Sequence, residues 1–299
     1  MLLSLILVAL AAITWGTTGT ALQLVGATSS AVPPVVGAIR MLVAAPLLVA
    51  GARLTGASMR PSSPAFLVAG LCMAGYQLCY FSAVPLAGVG ATALLAICSA
   101  PILIAVIAGI VLHESIRRLR VAAMALGVTG AGLLVGGGAG GSGRNFVMGA
   151  ALALCAGLAY SVYAVATKGG LSNSAPLGLA ANTFGLAAVA LLPVLLFQPA
   201  VTANTVAKGW PLLLYLGAIP TAGAYFLYTS ALRRIPAGSA AVAGLLEPLT
   251  ATVLGLLLFH EQLSLAQGFG AVLLLGAMAL LGIGTARPAE KSHDVARNG

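Results

Sequence analysis

The chain has 299 residues, of which 60% are hydrophobic and 6% are charged, and its formal net charge is +9. A water-soluble domain usually carries about 25% charged residues, because its surface must face water. The composition therefore excludes an ordinary soluble protein and indicates an integral membrane protein.

Ten apolar stretches are long enough to cross a bilayer as helices, since a hydrocarbon core of roughly 30 Å requires about 20 apolar helical residues. The sequence lacks the alternating polarity of a membrane barrel, and the first stretch lacks the basic start of a signal peptide. We therefore predict an all-α polytopic membrane protein with ten transmembrane helices. In chain order the predicted spans are 2–25, 33–53, 64–84, 88–112, 119–138, 146–168, 177–197, 210–232, 237–259 and 265–285.

Lysine and arginine residues collect on one side of this arrangement. Arg144 and Lys208 fall on the side of the membrane opposite the N-terminus, and Arg40 lies within the second span. Because cytoplasmic loops carry the excess of basic residues, we expect both termini in the cytoplasm of a bacterial-type cell. The charge then reflects topology and contact with the lipid bilayer, and no nucleic-acid partner is expected. The basic residues on the same side as the N-terminus are Arg53, Arg60, Arg117, Arg118, Arg120, Lys168, Arg233, Arg234, Arg287, Lys291 and Arg297.

Metal or redox chemistry has no sequence motif here. The pairs His113-Glu114 and His260-Glu261 do not extend to HExxH, and no CxxC is present. Glu114 and Glu261 follow span ends and precede spans five and ten, where the positive helix end stabilises a carboxylate, so we interpret them as structural. We expect no metal and no cofactor, and buried free thiols at Cys72, Cys79, Cys98 and Cys155.

The second half of the chain repeats the first. GYQLCYFSAV (75–84) aligns with GAYFLYTSAL (223–232), which pairs Tyr80 with Tyr228, and a slip of one residue pairs Pro101 with Pro248. Each half holds five spans, an odd number, so the two copies must cross the membrane in opposite senses. Such inverted repeats are typical of secondary transporters. We assign 1–138 to the first repeat, 139–145 to a glycine-rich link, 146–285 to the second repeat and 286–299 to a cytoplasmic tail.

Three segments resemble the ten-helix EamA-type members of the drug/metabolite transporter superfamily. They are TWG (14–16), the arginine of GAIRMLVAA (37–45), and the block 223–264, with its small-residue helix, mid-span proline and glutamate past the helix end. The resemblance covers nearly the whole chain. Among the branches, it is similar to bacterial exporters of amino acids and metabolites, including the aromatic amino-acid type.

The first span contains ITWGTTGTAL (13–22), in which glycine and threonine favour close helix packing. Trp15 lies away from the interface where tryptophan usually anchors, and its repeat counterpart is Tyr160. Tyrosines also recur at helical spacing, and a buried phenol needs a polar partner. Either a packing seam or the wall of a substrate cavity fits this pattern. The candidate substrate-binding residues are Trp15, Arg40, Tyr76, Gln77, Tyr80, Tyr160, Tyr163, Tyr225 and Tyr228.

Two ionisable residues lie inside predicted spans, where charges are costly and indicate function. Arg40 is placed in span two and Glu247 near the centre of span nine, directly before Pro248. In the structural alternatives, Arg40 snorkels to the interface, and Glu247 is protonated or satisfies backbone groups freed by the proline. We predict coupling or gating roles for Glu247, Pro101 and Pro248, with the prolines bending spans four and nine.

These features favour a secondary transporter that exports small organic solutes, amino acids in particular, by alternating access through a central cavity. No P-loop is present, so ATP is not the direct driver. An enzyme is disfavoured because three histidines and five acidic residues do not gather into a catalytic set. The alternatives are an efflux carrier of another substrate class and a lipid scramblase. The expected partners are a small-molecule solute and the bilayer, and a monomer is favoured.

Overall fold

A computed structural model describes residues 2–29, 32–59, 64–114, 118–136, 144–258 and 264–286. All regular structure in these ranges is helical, which confirms the all-α prediction. Glu261, His260, most of the predicted link and the tail after Ala286 lie outside the described residues. The helices are α1 Leu2–Gly16, α2 Thr18–Ser29, α3 Pro33–Leu54, α4 Ala65–Ala87, α5 Val89–Val111, α6 Arg118–Gly136, α7 Arg144–Gly170, α8 Pro176–Leu196, α9 Pro199–Gly217, α10 Ala224–Leu232, α11 Ala237–Gly244, α12 Leu246–Leu258 and α13 Leu265–Ala286, with a π-helical turn at Ala218–Gly223 between α9 and α10.

The helices follow the ten predicted spans. Seven helical stretches of the described chain are long and apolar enough to cross a membrane, and two shorter apolar ones cover Leu95–Val111 and Leu265–Leu280. The tenth is α6, with 19 residues. The predicted start of span eight at 210 is wrong, because the helix begins at Pro199. Proline is favourable in the first turn of a helix. The residues that follow it are polar, so hydropathy alone did not include this segment in the predicted span.

Helix packing follows the repeat. α4 lies along α7, and their counterparts α10 and α1 lie along each other. α5 packs on α7 in the same way that α12 packs on α1. The pairs α3 with α8 and α6 with α13 each join equivalent helices of the two halves. Exchanging the two repeats therefore leaves the packing pattern unchanged, as expected when two copies of one five-helix unit face each other.

In the described part of the chain, three spans are interrupted by a turn or a π-helical segment. Span one has a turn at Thr17, span eight contains the π-helical turn, and span nine divides at Leu245. In membranes such breaks persist only where other parts of the protein satisfy the freed backbone groups. The breaks in spans one and nine lie close together, since α1 packs against both α11 and α12. Irregular backbone is therefore concentrated where the two repeats meet.

The interior is filled largely by alanine, which allows the helices to approach closely. The few large buried side chains, such as Tyr163, Tyr228 and Phe184, fill the remaining space. The four cysteines are free thiols, but Cys155 is exposed on its helix, so the expectation of burial is wrong for this residue. Cys155 faces outward because α7 uses its alanine and glycine face for packing.

Candidate functional site

Aromatic rings from α1, α4, α7, α8 and α10 form one continuous cluster between the repeats. Trp15 joins several of them, with its ring centroid 4.9 Å from that of Tyr225, 5.4 Å from Tyr228 and 6.5 Å from Tyr160. These are the separations at which aromatic pairs attract beyond simple burial. The repeat counterparts Trp15 and Tyr160 thus meet edge to face, at an interplanar angle of 89°.

Tyr160 extends the cluster towards α4. Its ring centroid lies 5.4 Å from Tyr76 and 5.7 Å from Tyr163, and Tyr76 lies 5.5 Å from Tyr80. On the other side, Phe184 of α8 lies 4.7 Å from Tyr225. The structure therefore brings together all seven aromatic residues selected from the sequence. Sequence reasoning missed Phe184, because one phenylalanine in an apolar span carries no distinguishing signal.

Exposure divides the cluster into a sealed part and an accessible part. Trp15, Tyr163, Tyr225 and Tyr228 are at most 6% exposed and pack against one another. The rings of Tyr76, Tyr80 and Tyr160 are only half-buried. The sealed rings form a packing seam, whereas the half-buried rings keep part of their surface uncovered. The central cavity itself remains a prediction.

Several buried polar atoms in and beside the rings have no hydrogen-bond partner among the described residues. Among them are Nε1 of Trp15, Oε1 of Gln77 and the hydroxyls of Tyr163 and Tyr228. Gln77 is 1% exposed, and its amide nitrogen lies 3.8 Å from the sulfur of Met41 and 3.9 Å from that of Met73. Buried polar groups are normally satisfied, and thioether sulfur is a weak acceptor. The site therefore offers unused hydrogen-bonding capacity in an apolar setting.

Arg40 is deeply buried, at 5% exposure, so the snorkelling alternative does not describe it. Its Nε donates to Oγ1 of Thr221 at 2.9 Å, and its Nη2 donates to the carbonyl oxygen of Pro220 at 3.5 Å. Both acceptors lie in the π-helical turn of span eight. Arg40, which belongs to the first repeat, thus donates hydrogen bonds to an irregular turn of the second repeat.

The π-helical turn follows from Pro220 and Thr221. Proline has no N–H, so it cannot donate the helical hydrogen bond to the carbonyl four residues earlier, which belongs to Leu216. The Thr221 hydroxyl donates to that carbonyl instead, at 2.6 Å. Single π-helical turns occur frequently at functional sites. A threonine next to a mid-span proline is the signal that could have predicted this turn from the sequence.

Glu247 lies in the first turn of α12, directly after the break at Leu245. Its side chain is half-buried, and its carboxylate interacts electrostatically with Arg40. No salt bridge within 4.0 Å joins these two residues in the described chain. Both residues are close enough to Tyr76 and Tyr80 to interact with them electrostatically. The structure therefore places Arg40 and Glu247 in the same region as these rings, without an ion pair within 4.0 Å between the two.

The glycine of the TWG segment explains how α1 approaches Glu247. A Cβ at Gly16 would lie 2.5 Å from Cβ of Thr250 and 2.6 Å from the carbonyl oxygen of Glu247. In the other repeat, the Ser161 hydroxyl lies 3.5 Å from the carbonyl oxygen of Ala100, the residue before Pro101. Both repeats therefore bring a small residue onto the carbonyl that precedes the mid-span proline.

The two prolines do not act alike in the structure. α5 runs as one helix through Pro101, whereas span nine divides three residues before Pro248. The two repeats also differ in sequence at this point, where the second has Glu247 and the first has Ala100. The breaks in spans one, eight and nine are features of this site that differ from a regular helix bundle.

The sequence model of the EamA-like transporter family matches residues 2–136 and again residues 147–283. The chain belongs to the EamA-like transporter family. This family lies within the drug/metabolite transporter superfamily, and its double match agrees with the two halves of the fold.

Relatives agree with this membership, and a solved structure shares the fold. The uncharacterized transporter YwfM of Bacillus subtilis is 33% identical over 97% of this chain and 96% of its own length. An uncharacterized transporter of Archaeoglobus fulgidus is 30% identical over 44% of each chain. A protein of known crystal structure shares the fold, with a TM-score of 0.80 and 24% identity over 94% of this chain and 96% of that chain. This EamA-like protein is a membrane transporter, and the relatives point to a non-enzymatic one.

Proposed function

We propose that this EamA-like transporter is a secondary carrier that exports small organic solutes, amino acids and especially aromatic ones, by alternating access. The observation that carries the proposal is the grouping of accessible tyrosine rings with one cation and one carboxylate in an apolar interior. Tyr76, Tyr80 and Tyr160 supply the rings, and Arg40 and Glu247 supply the charges.

The chemistry of an amino acid matches these groups. Its carboxylate suits the guanidinium of Arg40, which binds carboxylates in a bidentate manner, and its ammonium suits the carboxylate of Glu247. An apolar or aromatic side chain suits the half-buried rings, since aromatic pairs attract in offset and edge arrangements. Few charges compete, because the entire chain has five acidic residues.

Alternating access is supported by the symmetry of the packing. Inverted repeats allow one half to rock against the other around a site near the midplane. The interrupted backbone of spans eight and nine lies at that boundary and offers points of flexure. We place the repeats at 1–138 and 146–285 and assign Glu247, Pro101 and Pro248 to gating or coupling.

The direct test is flux in proteoliposomes. Purified protein is reconstituted and loaded with radiolabelled tryptophan, phenylalanine, leucine or an aromatic monoamine that lacks a carboxylate, with and without a pH gradient. We expect flux of the amino acids and weak flux of the monoamine, because only the amino acids engage Arg40. Preferred flux of the monoamine would indicate an efflux carrier of another class, and lipid flipping without solute flux would indicate a scramblase.

The role of Glu247 is tested in the same vesicles with Glu247→Gln. Retained exchange that no longer depends on pH supports proton coupling, whereas loss of all transport supports a gate or binding role. Arg40→Gln is measured beside it. Wild-type flux in both variants would contradict the proposal that these residues form the substrate site.

We also propose that both termini face the cytoplasm of a bacterial-type cell. The support is the basic bias of the connections on the N-terminal side. In a cysteine-free background, a reagent confined to the outside should label a cysteine placed at Gly140 and leave one at Ser292 unlabelled. The opposite labelling would reverse the topology.

A further inference from the structure

A second polar site lies at the end of the helix bundle where three basic connections meet. Loops or helix ends from spans four to six and from spans eight and nine line an open cleft of about 370 Å³. The aromatic cluster contributes nothing to its wall. The lining residues are Glu114, Arg120, Lys168, Arg233, Arg234, Ile235 and Pro236.

The charge of the cleft is strongly positive. It holds four cationic side chains and one carboxylate, which gives a net charge of +3 from these residues. Arg120 pairs with Glu114 at 3.8 Å, and no described carboxylate lies within 4.0 Å of Arg233 or Arg234, both of which are exposed. Of the acidic residues in the described part of the chain, only Glu114 lines this cleft.

Hydrogen bonds between the two repeats and within the second repeat hold the walls in place. Lys168 Nζ donates to the carbonyl oxygens of Leu232 and Ile235, at the end of α10, with the Ile235 bond 2.9 Å long. Oε1 of Glu114 accepts the backbone N–H of Ala237 at 3.0 Å, where α11 begins. The cleft is therefore preorganised before any ligand enters, which lowers the entropic cost of binding.

We propose that this cleft binds a phosphate group, from either a lipid headgroup or a free phosphate. Arginine suits phosphate because its planar fork donates two parallel charge-assisted hydrogen bonds. The cleft is within the size range of small-molecule sites. Basic pockets between membrane helices bind anionic lipid headgroups by the same electrostatics. Since the cleft joins the ends of α10 and α11 to the first repeat, an occupied site stabilises that contact.

The experiment measures thermal unfolding of the full-length protein in a neutral detergent. Inorganic phosphate is added in one arm, short-chain phosphatidylglycerol in a second and short-chain phosphatidylcholine in a third. The double variant Arg233→Gln/Arg234→Gln is compared with wild type and with Arg53→Gln. Arg53 is an exposed arginine from the same side of the chain that does not line the cleft, so its variant controls for loss of surface charge.

We expect phosphatidylglycerol, inorganic phosphate or both to raise the unfolding temperature of wild type and Arg53→Gln. The rise should be lost in the double variant and suppressed by high salt, because screening weakens exposed charge interactions. A rise with phosphate shows that the free anion suffices, and a rise with phosphatidylglycerol alone assigns the site to lipid.

The proposal is overturned if neither inorganic phosphate nor phosphatidylglycerol raises the unfolding temperature of wild type more than phosphatidylcholine does. It is also overturned if the double variant keeps the full rise or if Arg53→Gln loses as much of it. If the double variant does not fold, the single variant Arg234→Gln replaces it in the comparison. This variant should lose part of the ligand-induced rise in unfolding temperature.

Discussion

Arg40 and Thr221 are 181 positions apart in the chain, yet a 2.9 Å hydrogen bond joins Nε of Arg40 to the hydroxyl of Thr221. The same hydroxyl donates to the carbonyl of Leu216, which the nearby proline leaves without its helical partner. One threonine therefore satisfies the buried cation of the first repeat and the irregular turn of the second. The stability of the turn and the orientation of Arg40 are coupled through this side chain.

The first prediction follows from that coupling. Thr221→Val keeps the shape of the side chain but removes both hydrogen bonds, leaving a charged donor unsatisfied. A hydrogen bond to a charged group contributes about 1.5–3 kcal/mol, so we expect a clearly lower unfolding temperature and reduced flux. Thr221→Ser keeps the hydroxyl and should stay close to wild type. Equal behaviour of the valine and serine variants would show that the hydroxyl has no such role.

The second prediction compares two glycines of the first span. Gly16→Ala would place a methyl group 2.6 Å from the carbonyl oxygen of Glu247, so α1 and α12 must separate. We expect a loss of folded yield and of transport. Gly19→Ala is the matched control, since nothing lies within 4 Å of its added carbon. That variant should match wild type or gain about 0.4–1 kcal/mol of stability.

If Gly16→Ala and Gly19→Ala give the same yield in size-exclusion chromatography and the same flux, the close approach of α1 to α12 is not required. A larger loss of yield and flux in Gly19→Ala than in Gly16→Ala would contradict this packing.

The third prediction separates the accessible rings from the sealed ones. Tyr80 is half-buried, so Tyr80→Ala should weaken flux while the folded yield changes little. Tyr163 is 1% exposed, so Tyr163→Ala leaves a cavity and should cost about 3–5 kcal/mol, the range for large aromatic truncations. Flux per folded molecule and thermal unfolding are measured for both. A Tyr80→Ala protein with unaltered flux would remove this ring from the substrate site.

The fourth prediction concerns Glu114, which we interpreted from the sequence as stabilising its own neighbouring helix. It instead accepts the Ala237 N–H at the start of α11, in the other repeat. Glu114→Gln keeps an acceptor oxygen but loses the negative charge that interacts with Arg120 and Lys168, so its unfolding temperature should fall slightly. Glu114→Ala also loses the cap, which typically contributes about 0.5–2 kcal/mol, and should fall further. An unfolding temperature for the alanine variant at or above that of the glutamine variant would exclude this cap.

The repeat and the span positions, apart from the start of span eight, could be predicted from the sequence, because the bilayer imposes a length and a composition on each crossing helix. The pairing of Tyr80 with Tyr228 and of Pro101 with Pro248 also predicted which helices are equivalent. The clustering of the tyrosines followed from their spacing, since a phenol cannot face lipid without a hydrogen-bond partner. These inferences depend on the length, the composition and the residue spacing of individual segments.

Only the tertiary structure decided where the backbone departs from regular helix and which polar groups satisfy it. The turn at 218–223 depends on Thr221 and Arg40, and Gly16 allows the close approach to Glu247. It also decided that Trp15 and Tyr163 are sealed while Tyr80 and Tyr160 stay accessible. Each of these outcomes depends on side chains from another helix, often from the other repeat. Hydropathy and spacing within one span contain no information about those partners.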